Sequence, residues 1–404
     1  MTTLGNRIRA LRKKRKLTLE SLAGNQLTKG MLSLIENDKA KPSMESLEYI
    51  ARRLEVEVNE LLQEISVSEL REILNDVNQD FNHKNYKLVY EKLANIIKLE
   101  LPLCLEAGKI NAWYGMSCFH LGMNHWKDYL DKADQICLSL HLYNESTKIN
   151  SFLMYTKMRD FDYDGALQIV REKRKYFEDN KISLDMMTEL DLSYNEVILL
   201  FAVGNYKEAA NHLTKAISLC KEKNILYRMD HLYRVAYYYA MINGVDKDMN
   251  FYLKKLSLLA ELLDSAELQW VVLFFRAEYY IEISHQYEKA LQCVEQFSEI
   301  ETMDKTYEIY YYMMKGKVLY GFKQYENALE YLIKIKEFPN DQIHPFDLSI
   351  QNVIYAYIAR CYIQLGDANR AIHYANIAKQ NMENLPVTPY KTFMEETYNL
   401  VMNS

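Results

Sequence analysis

Eight times between residues 86 and 368 the chain repeats one short pattern, a bulky residue followed three places later by a second, usually smaller one. The copies are Tyr86/Val89, Trp126/Tyr129, Tyr163/Ala166, Tyr206/Ala209, Asp246/Met249, Tyr287/Ala290, Tyr325/Ala328 and Ala368/Ala371, at intervals of 40, 37, 43, 40, 41, 38 and 43 residues. A period of this size marks an array of supersecondary units. Each period holds a helical stretch, a short polar turn such as "AVGNY", "GFKQY" or "QLGDA", and a second helix opening at the anchor. The small residue lets the two helices approach, and the bulky one fills the gap to the next unit. One such hairpin cannot bury its apolar faces alone; stacking does, and a right-handed superhelix with a concave inner wall follows. The chain has 12 Gly and 6 Pro in 404 residues, far too few for the turns of a sheet protein. The expected fold is all-α, with about eight hairpins over residues 65–404 and a terminal capping helix introduced by Pro386 and Pro389.

Residues 1–64 follow different rules. Leu4, Ile8 and Leu11 recur at helical spacing beside a run of cations, Arg7, Arg9, Arg12, Lys13, Lys14, Arg15 and Lys16. Thr18 and Thr28 are placed to cap two short helices, Gly24 ends the first of them, and Pro42-Ser43 opens a fourth helix over 44–54. A fifth begins at Asn59. Two short helices around a tight turn make a helix-turn-helix, whose second helix presents its N-terminus to the major groove. Charge agrees: residues 1–62 carry a net +4 and the remainder −10, so double-stranded DNA is the expected partner of the head alone. Arg7, Arg12 and Lys16 from the basic run are candidate phosphate contacts.

In the repeats the first helix of each hairpin is expected to line the inner wall. Positions eight or twelve residues before each anchor give Tyr155, Tyr194, Ile198, Arg234, Tyr238, Phe275, Tyr279, Met313, Lys317 and Arg360, with Asn150, Asn195 and Arg276 beside them. Asn amides pair with both backbone groups of a peptide, Arg and Lys take a carboxylate, and tyrosines offer apolar walls with polar tips. The candidate peptide-binding set is Asn150, Tyr155, Asn195, Arg234, Tyr238, Arg276, Tyr279, Lys317 and Arg360. An aromatic in a helical repeat is more often core than ligand wall, so the Asn and Arg positions are the more telling ones.

The six cysteines are scattered without a C-x-x-C pair, which points to buried free thiols rather than zinc or disulfides. No HExxH, P-loop or GxGxxG occurs, so neither catalysis nor a cofactor is expected. No apolar run reaches membrane-span length, and a cytoplasmic location is expected.

The stretches "RIRALRKKRKLT", "LTKGMLSLIEN" and "KPSMESLEYIARRLEVEVNELL" resemble the xenobiotic-response-element, or lambda-repressor-like, helix-turn-helix family over residues 4–62. That resemblance places its base- and phosphate-facing positions on Thr28, Lys29, Gly30, Ser33 and Leu34, with Asn37 and Lys39 just beyond. Leu19 stands where the family commonly has a phosphate-binding Gln. "GNYKEAANHLTKAISL" and "LGDANRAIHYANIAKQ" are similar to tetratricopeptide repeats with lengthened helices. As a whole the chain resembles the RRNPP family of quorum-sensing receptors. The resemblance implies a short signalling peptide in the groove, with Asn150 and Asn195 holding its backbone. It also implies a homodimer or tetramer built through repeats, and DNA binding that changes with the peptide. A scaffold that captures a sporulation response regulator is an alternative within the same resemblance.

Overall fold

The computed structural model describes residues 3–62, 65–297, 299–300, 305–338 and 343–403. Every regular element among them is helical, and the chain divides into two compact units, Met1–Phe152 and Leu153–Ser404.

The first unit opens with five short helices: α1 (Leu4–Lys14), α2 (Leu19–Ala23), α3 (Lys29–Glu36), α4 (Met44–Arg53) and α5 (Val58–Leu62). Thr3, Thr18, Thr28 and Ser43 each accept a backbone amide from the first turn of α1 to α4 in order. Each such cap contributes about 1 kcal/mol, which short helices need because they have few internal hydrogen bonds. Ile8, Leu22, Leu32, Ile35, Ile50, Leu54 and Leu61 form their common core. Gly5 is buried where an added Cβ would run into the Ile35 carbonyl, so α1 and α3 touch backbone to backbone.

A second core in this unit joins α6 (Val67–Asn82), α7 (Tyr86–Leu93), α8 (Leu105–His120) and α9 (Trp126–Ser139), through Leu70, Val77, Val89, Leu93, Ala107 and Ile110. Ser66 and Glu69 close a reciprocal capping box at the start of α6. Helix α10 (Tyr143–Arg159) runs across the division between the units.

The second unit continues with α11 (Tyr163–Asp179), α12 (Met186–Ala202), α13 (Tyr206–Lys223), α14 (Met229–Ile242), α15 (Asp246–Leu262) and α16 (Ala266–Glu278), which runs into a π-helical turn, Tyr279–Ile283. It is completed by α17 (Tyr287–Phe297), α18 (Lys305–Gly321), α19 (Tyr325–Leu332), α20 (Pro345–Gln364), α21 (Ala368–Met382) and α22 (Pro389–Met402), the last being the expected cap. All eight anchors are the first residue of a helix. Val89, Ala166, Ala209, Met249, Ala290, Ala328 and Ala371, three places on, are wholly buried, as close helix approach requires, whereas Tyr129 is half-buried.

A left-handed residue ends the preceding turn in each hairpin: Lys84, Phe161, Gly204, Gly244, His285, Lys323 and Gly366 lie two places before their anchors, and His125 lies one before Trp126. That conformation satisfies the last carbonyls of one helix and reverses the chain into the next.

Candidate functional site

On the head, α3 exposes Lys29, Gly30, Met31, Leu34 and Asn37, with Ser33 half-buried beside them. Thr28 caps the helix by accepting the Met31 amide at 3.1 Å, and Asn37 Nδ2 donates to the Ser33 carbonyl at 2.7 Å. Lys29 pairs across the turn with Glu20, and both side chains stay open to solvent. That pairing holds the Glu20 carboxyl below its ordinary range. Met31 and Leu34 are 47 % and 45 % exposed, one helical turn apart, which gives the face an apolar ridge between polar flanks. Gly30 lacks an internal reason to be glycine: an added Cβ would meet only Thr28 Oγ1, at 3.9 Å. Lys16 and Lys39 are exposed.

Three cations of the basic run are engaged within the fold, Arg15 by donating to the Glu55 carbonyl at 3.3 Å. Arg12, expected as a phosphate contact, is 11 % exposed and holds the buried Glu36 with two bonds, Nε to Oε1 at 2.6 Å and Nη2 to Oε2 at 2.9 Å. Its remaining nitrogen donates to the Leu17 carbonyl at 2.9 Å. Arg7 donates through Nε to the Leu61 carbonyl at 3.0 Å and through Nη2 to the Leu62 carbonyl at 3.3 Å, and so caps the end of α5. The planar guanidinium, with five donors, suits these carbonyl- and carboxylate-bridging tasks. Arg9, Lys13, Lys14 and Lys16 are the cations of the run that face solvent.

The second unit encloses a cavity of about 410 Å³. Tyr155 from α10, Tyr194 and Ile198 from α12, and Arg234 and Tyr238 from α14 stand on its wall, as the helical spacing predicts. The opposite wall consists of residues 343–347, leading into α20, with Pro386 and Thr388 before α22. Side chain to backbone bonds hold these distant segments in place. Tyr163 donates to the Ile343 carbonyl at 3.0 Å, Tyr206 to the Val387 carbonyl at 3.1 Å, and His344 Nε2 to the Ile198 carbonyl at 2.9 Å. His344 Nδ1 lies 3.2 Å from the Phe346 amide, so both ring nitrogens are engaged with backbone groups.

A smaller cavity of about 160 Å³ shares Arg234, Tyr238 and Asp347 with the first and adds Trp270, Phe274, Phe275 and Tyr310. Its polar groups are under-satisfied. Arg234 reaches Asp230 at 3.3 Å and Glu267 at 3.8 Å through Nη2, yet among the described residues its buried Nε finds no acceptor, and neither does the buried Nε1 of Trp270. Asp347 is half-buried and makes no hydrogen bond or ion pair with any described residue. Burial raises its carboxyl above the ordinary range, with His344 and Arg234 pulling the other way. Burial likewise lowers the His231 imidazole on the larger cavity's wall.

Several expected groove residues lie elsewhere. Lys317 is 0 % exposed, and its ammonium sits 2.6 Å from both Glu278 and Glu282. Tyr390 from α22 donates to Glu278, Tyr357 donates to Glu282 at 2.9 Å, and both rings flank the ammonium. Burial pushes the Glu278 carboxyl up while Lys317 opposes it, and the two carboxylates hold the Lys317 ammonium above its ordinary range despite its burial. The cluster joins α16, the π-helical turn, α18, α20 and α22, and neither Lys317 nor Glu278 is open to a ligand. Arg360 is taken by the cap as well, donating to Thr397 Oγ1 at 2.7 Å with its guanidinium 4.0 Å from the Phe393 ring centre. Arg276 donates to Ser257 of α15 at 2.9 Å, and Tyr279 lies 3.3 Å from Asn250 Nδ2, so both face the neighbouring helix rather than a cavity. Asn195 is buried on α12 and is not part of the cavity lining, although Tyr194 next to it is. Met313 is also core. Asn150 is buried in the first unit, on α10.

Sequence reasoning misses Asp347, His344, Trp270, His231 and Tyr206 on the cavity walls. Asp347 and His344 sit at the start of α20, outside the spacing rule, and only closure of the chain through 146 residues brings His344 to Ile198. The one local signal is His344-Pro345-Phe346-Asp347, with proline opening a helix and an acid in its first turn. The thiols are free, five buried and Cys104 partly so, and burial pushes Cys361 up to about 12. Among the described residues no cluster of His, Cys, Asp and Glu could hold a metal, and no helix is long and apolar enough to cross a membrane.

Residues 5–67 match the helix-turn-helix domain family. The head is a helix-turn-helix domain. Over 97 residues, 24 % of its length, the chain is 32 % identical to the immunity repressor protein of Bacillus phage phi105, and it spans 63 % of that relative. The fold is also similar to Bacillus thuringiensis PlcR, solved in complex with the peptide PapR7 and DNA, at 19 % identity, 65 % of this chain, 96 % of that one and a TM-score of 0.36. The competence regulator ComR from Streptococcus vestibularis, in its apo form, is similar at 17 % identity, 69 % of this chain, 97 % of that one and a TM-score of 0.34.

Proposed function

We propose that this chain is a peptide-responsive transcriptional regulator. Its head, residues 1–64, binds duplex DNA as one of two copies in a homo-oligomer, and its repeat body binds a short extended peptide in the paired cavities of the second unit. The observation that carries the peptide assignment is the pair of buried donors, Arg234 Nε and Trp270 Nε1, facing the smaller cavity without acceptors. A buried unsatisfied donor costs about 1–3 kcal/mol, so a fold retains two in one place at a net loss unless a ligand completes them. Peptide carbonyls, or a terminal carboxylate, supply acceptors of the right kind, and the tyrosine walls supply apolar contact.

On the head, Lys29, Ser33 and the exposed Met31–Leu34 ridge face the duplex in this reading, with Thr28 presenting the helix N-terminus. Arg9, Lys13, Lys14 and Lys16 supply phosphate contacts. Gly30 keeps the helix surface low, so that the backbone reaches the DNA closely. Signal passes because the cavity wall combines α12 and α14 with residues 343–347 and 386–388. A ligand that alters the spacing of those segments couples to subunit arrangement, at about 1–3 kcal/mol for linkage of this type.

The test uses the full chain, a duplex carrying its operator selected from random sequence, and synthetic peptides encoded immediately downstream of the gene. Expected results are a rise in Tm, a change of mass by light scattering, and a roughly 5- to 150-fold change in DNA affinity with one of the peptides. A chain whose Tm, mass and DNA affinity ignore every such peptide overturns the assignment.

A further inference from the structure

Among the described residues Asp347 has no counter-ion in direct contact, although Arg234 and His344 act on it from a distance. It lies in the first turn of α20, where the helix dipole tolerates an anion. Its carboxylate nevertheless faces inward onto the wall common to both cavities, half-buried, without a hydrogen bond or ion pair among the described residues.

The charges around it do not compensate. Arg234, from α14, is engaged by Asp230 and Glu267. His344 spends both ring nitrogens on backbone groups. Arg234 and Asp347 are the formally charged side chains that line these cavities, and Arg234 is shared with Asp230 and Glu267, which do not line them. Around the same carboxylate stand the rings of Tyr238, Trp270, Phe274, Phe275 and Tyr310, which line the smaller cavity with it. Aromatic faces carry partial negative charge and attract cations, and they also shelter the methylene stem of a long basic side chain. A cavity of about 160 Å³ is the size that admits one such side chain or ring, close to the volume of an engineered cavity that takes benzene.

We infer that the peptide ligand of this cleft carries a lysine or arginine whose cation pairs with Asp347, its stem lying among the aromatic rings of the smaller cavity. The inference rests on the peptide reading of the cleft and adds the chemical class of one ligand residue and the residue that selects it. Arg234 Nε and Trp270 Nε1 remain for the ligand's main-chain oxygen next to that side chain. An apolar side chain fills the same volume but leaves the carboxylate without a partner, and an acidic one sets a second anion beside Asp347.

The experiment uses pools of synthetic heptapeptides, each with one position fixed as Arg, Lys, Leu, Phe or Glu and the rest randomised. Binding to the full chain is read by calorimetry, with Tm and circular dichroism confirming that each variant is folded. At one position the Arg and Lys pools bind at least about tenfold more tightly than the Leu, Phe and Glu pools, as loss of a partly buried charge pair requires. Asp347→Asn abolishes that preference while still binding the Leu pool, and Asp347→Lys transfers it to the Glu pool. Binding with no basic preference, or a preference that survives Asp347→Asn in a folded protein, overturns the inference and leaves the peptide reading intact. If no pool binds at all, the peptide reading falls and the inference falls with it.

Discussion

Two charged clusters of the second unit, built on neighbouring helices, have opposite fates. Around Lys317, one ammonium, two carboxylates and two tyrosine hydroxyls complete one another, all buried except the partly exposed Glu282. Around Arg234, Trp270 and Asp347, two buried donors and one carboxylate have no partner among the described residues. The difference teaches that an inward-facing charge is not in itself a sign of a site; a charge left incomplete is. The head repeats the contrast on a smaller scale, with Arg12 closed on Glu36 and Lys29 and Gly30 open to solvent.

The largest effect expected of this contrast is at Lys317. Lys317→Met leaves two carboxylates without a counter-ion and destabilises the chain by about 3–5 kcal/mol, measured from the denaturation midpoint. Glu278→Gln added to it restores part of that loss, because the doubly anionic pair becomes singly charged. A Lys317→Met protein of unchanged stability erases the distinction between the clusters.

Next is Arg12→Ala, which costs the head about 3 kcal/mol by stranding Glu36 and abolishes DNA binding through unfolding. Lys29→Ala, by contrast, leaves the Tm in place and lowers the slope of log K against log salt by about one. Equal folding losses from both substitutions show that the closed and open cations do not differ.

A smaller effect with the opposite sign is expected at the open cluster. Asp347→Asn stabilises the free chain by about 1 kcal/mol at neutral pH, since it removes an uncompensated carboxylate. The folded state holds that proton more tightly than the unfolded chain. Wild-type stability therefore carries the full penalty above the raised folded pKa and recovers as pH falls toward the ordinary value of 3.8. A denaturation series from neutral to acid shows the advantage of the variant shrinking over that window, and an advantage that does not shrink sinks the claim.

The smallest effect is Gly30→Ala, which strengthens α3 by about 0.5–1 kcal/mol because nothing in the fold obstructs the methyl. The same variant weakens DNA binding if the duplex comes close to that backbone, as gel-shift titration reads.

The hairpin period was legible because helix approach needs a small buried residue at a fixed place. Ala166, Ala209, Ala290, Ala328 and Ala371 carry that requirement in their own identity. The caps of the head were legible for a similar reason, since Thr18, Thr28 and Ser43 act on amides three residues away. The turns were harder to read. Lys84, Phe161, His285 and Lys323 take the left-handed conformation that glycine usually announces, with their side chains exposed and the turn closed by backbone bonds such as Asn85 N–H to Asp80 O and Asp162 N–H to Lys157 O.

Of the nine groove candidates, Tyr155, Arg234 and Tyr238 reach the cavity wall, whereas Lys317, Arg360, Arg276 and Tyr279 serve the frame. Spacing along one helix fixes which face a side chain shares. It cannot fix what stands opposite that face. Sequence alone thus determined the helices, their pairing and the basic head, because these depend on neighbours within one or two turns. Only the tertiary structure decided which charges are satisfied, because Tyr390 meets Glu278 across 112 residues and His344 meets Ile198 across 146.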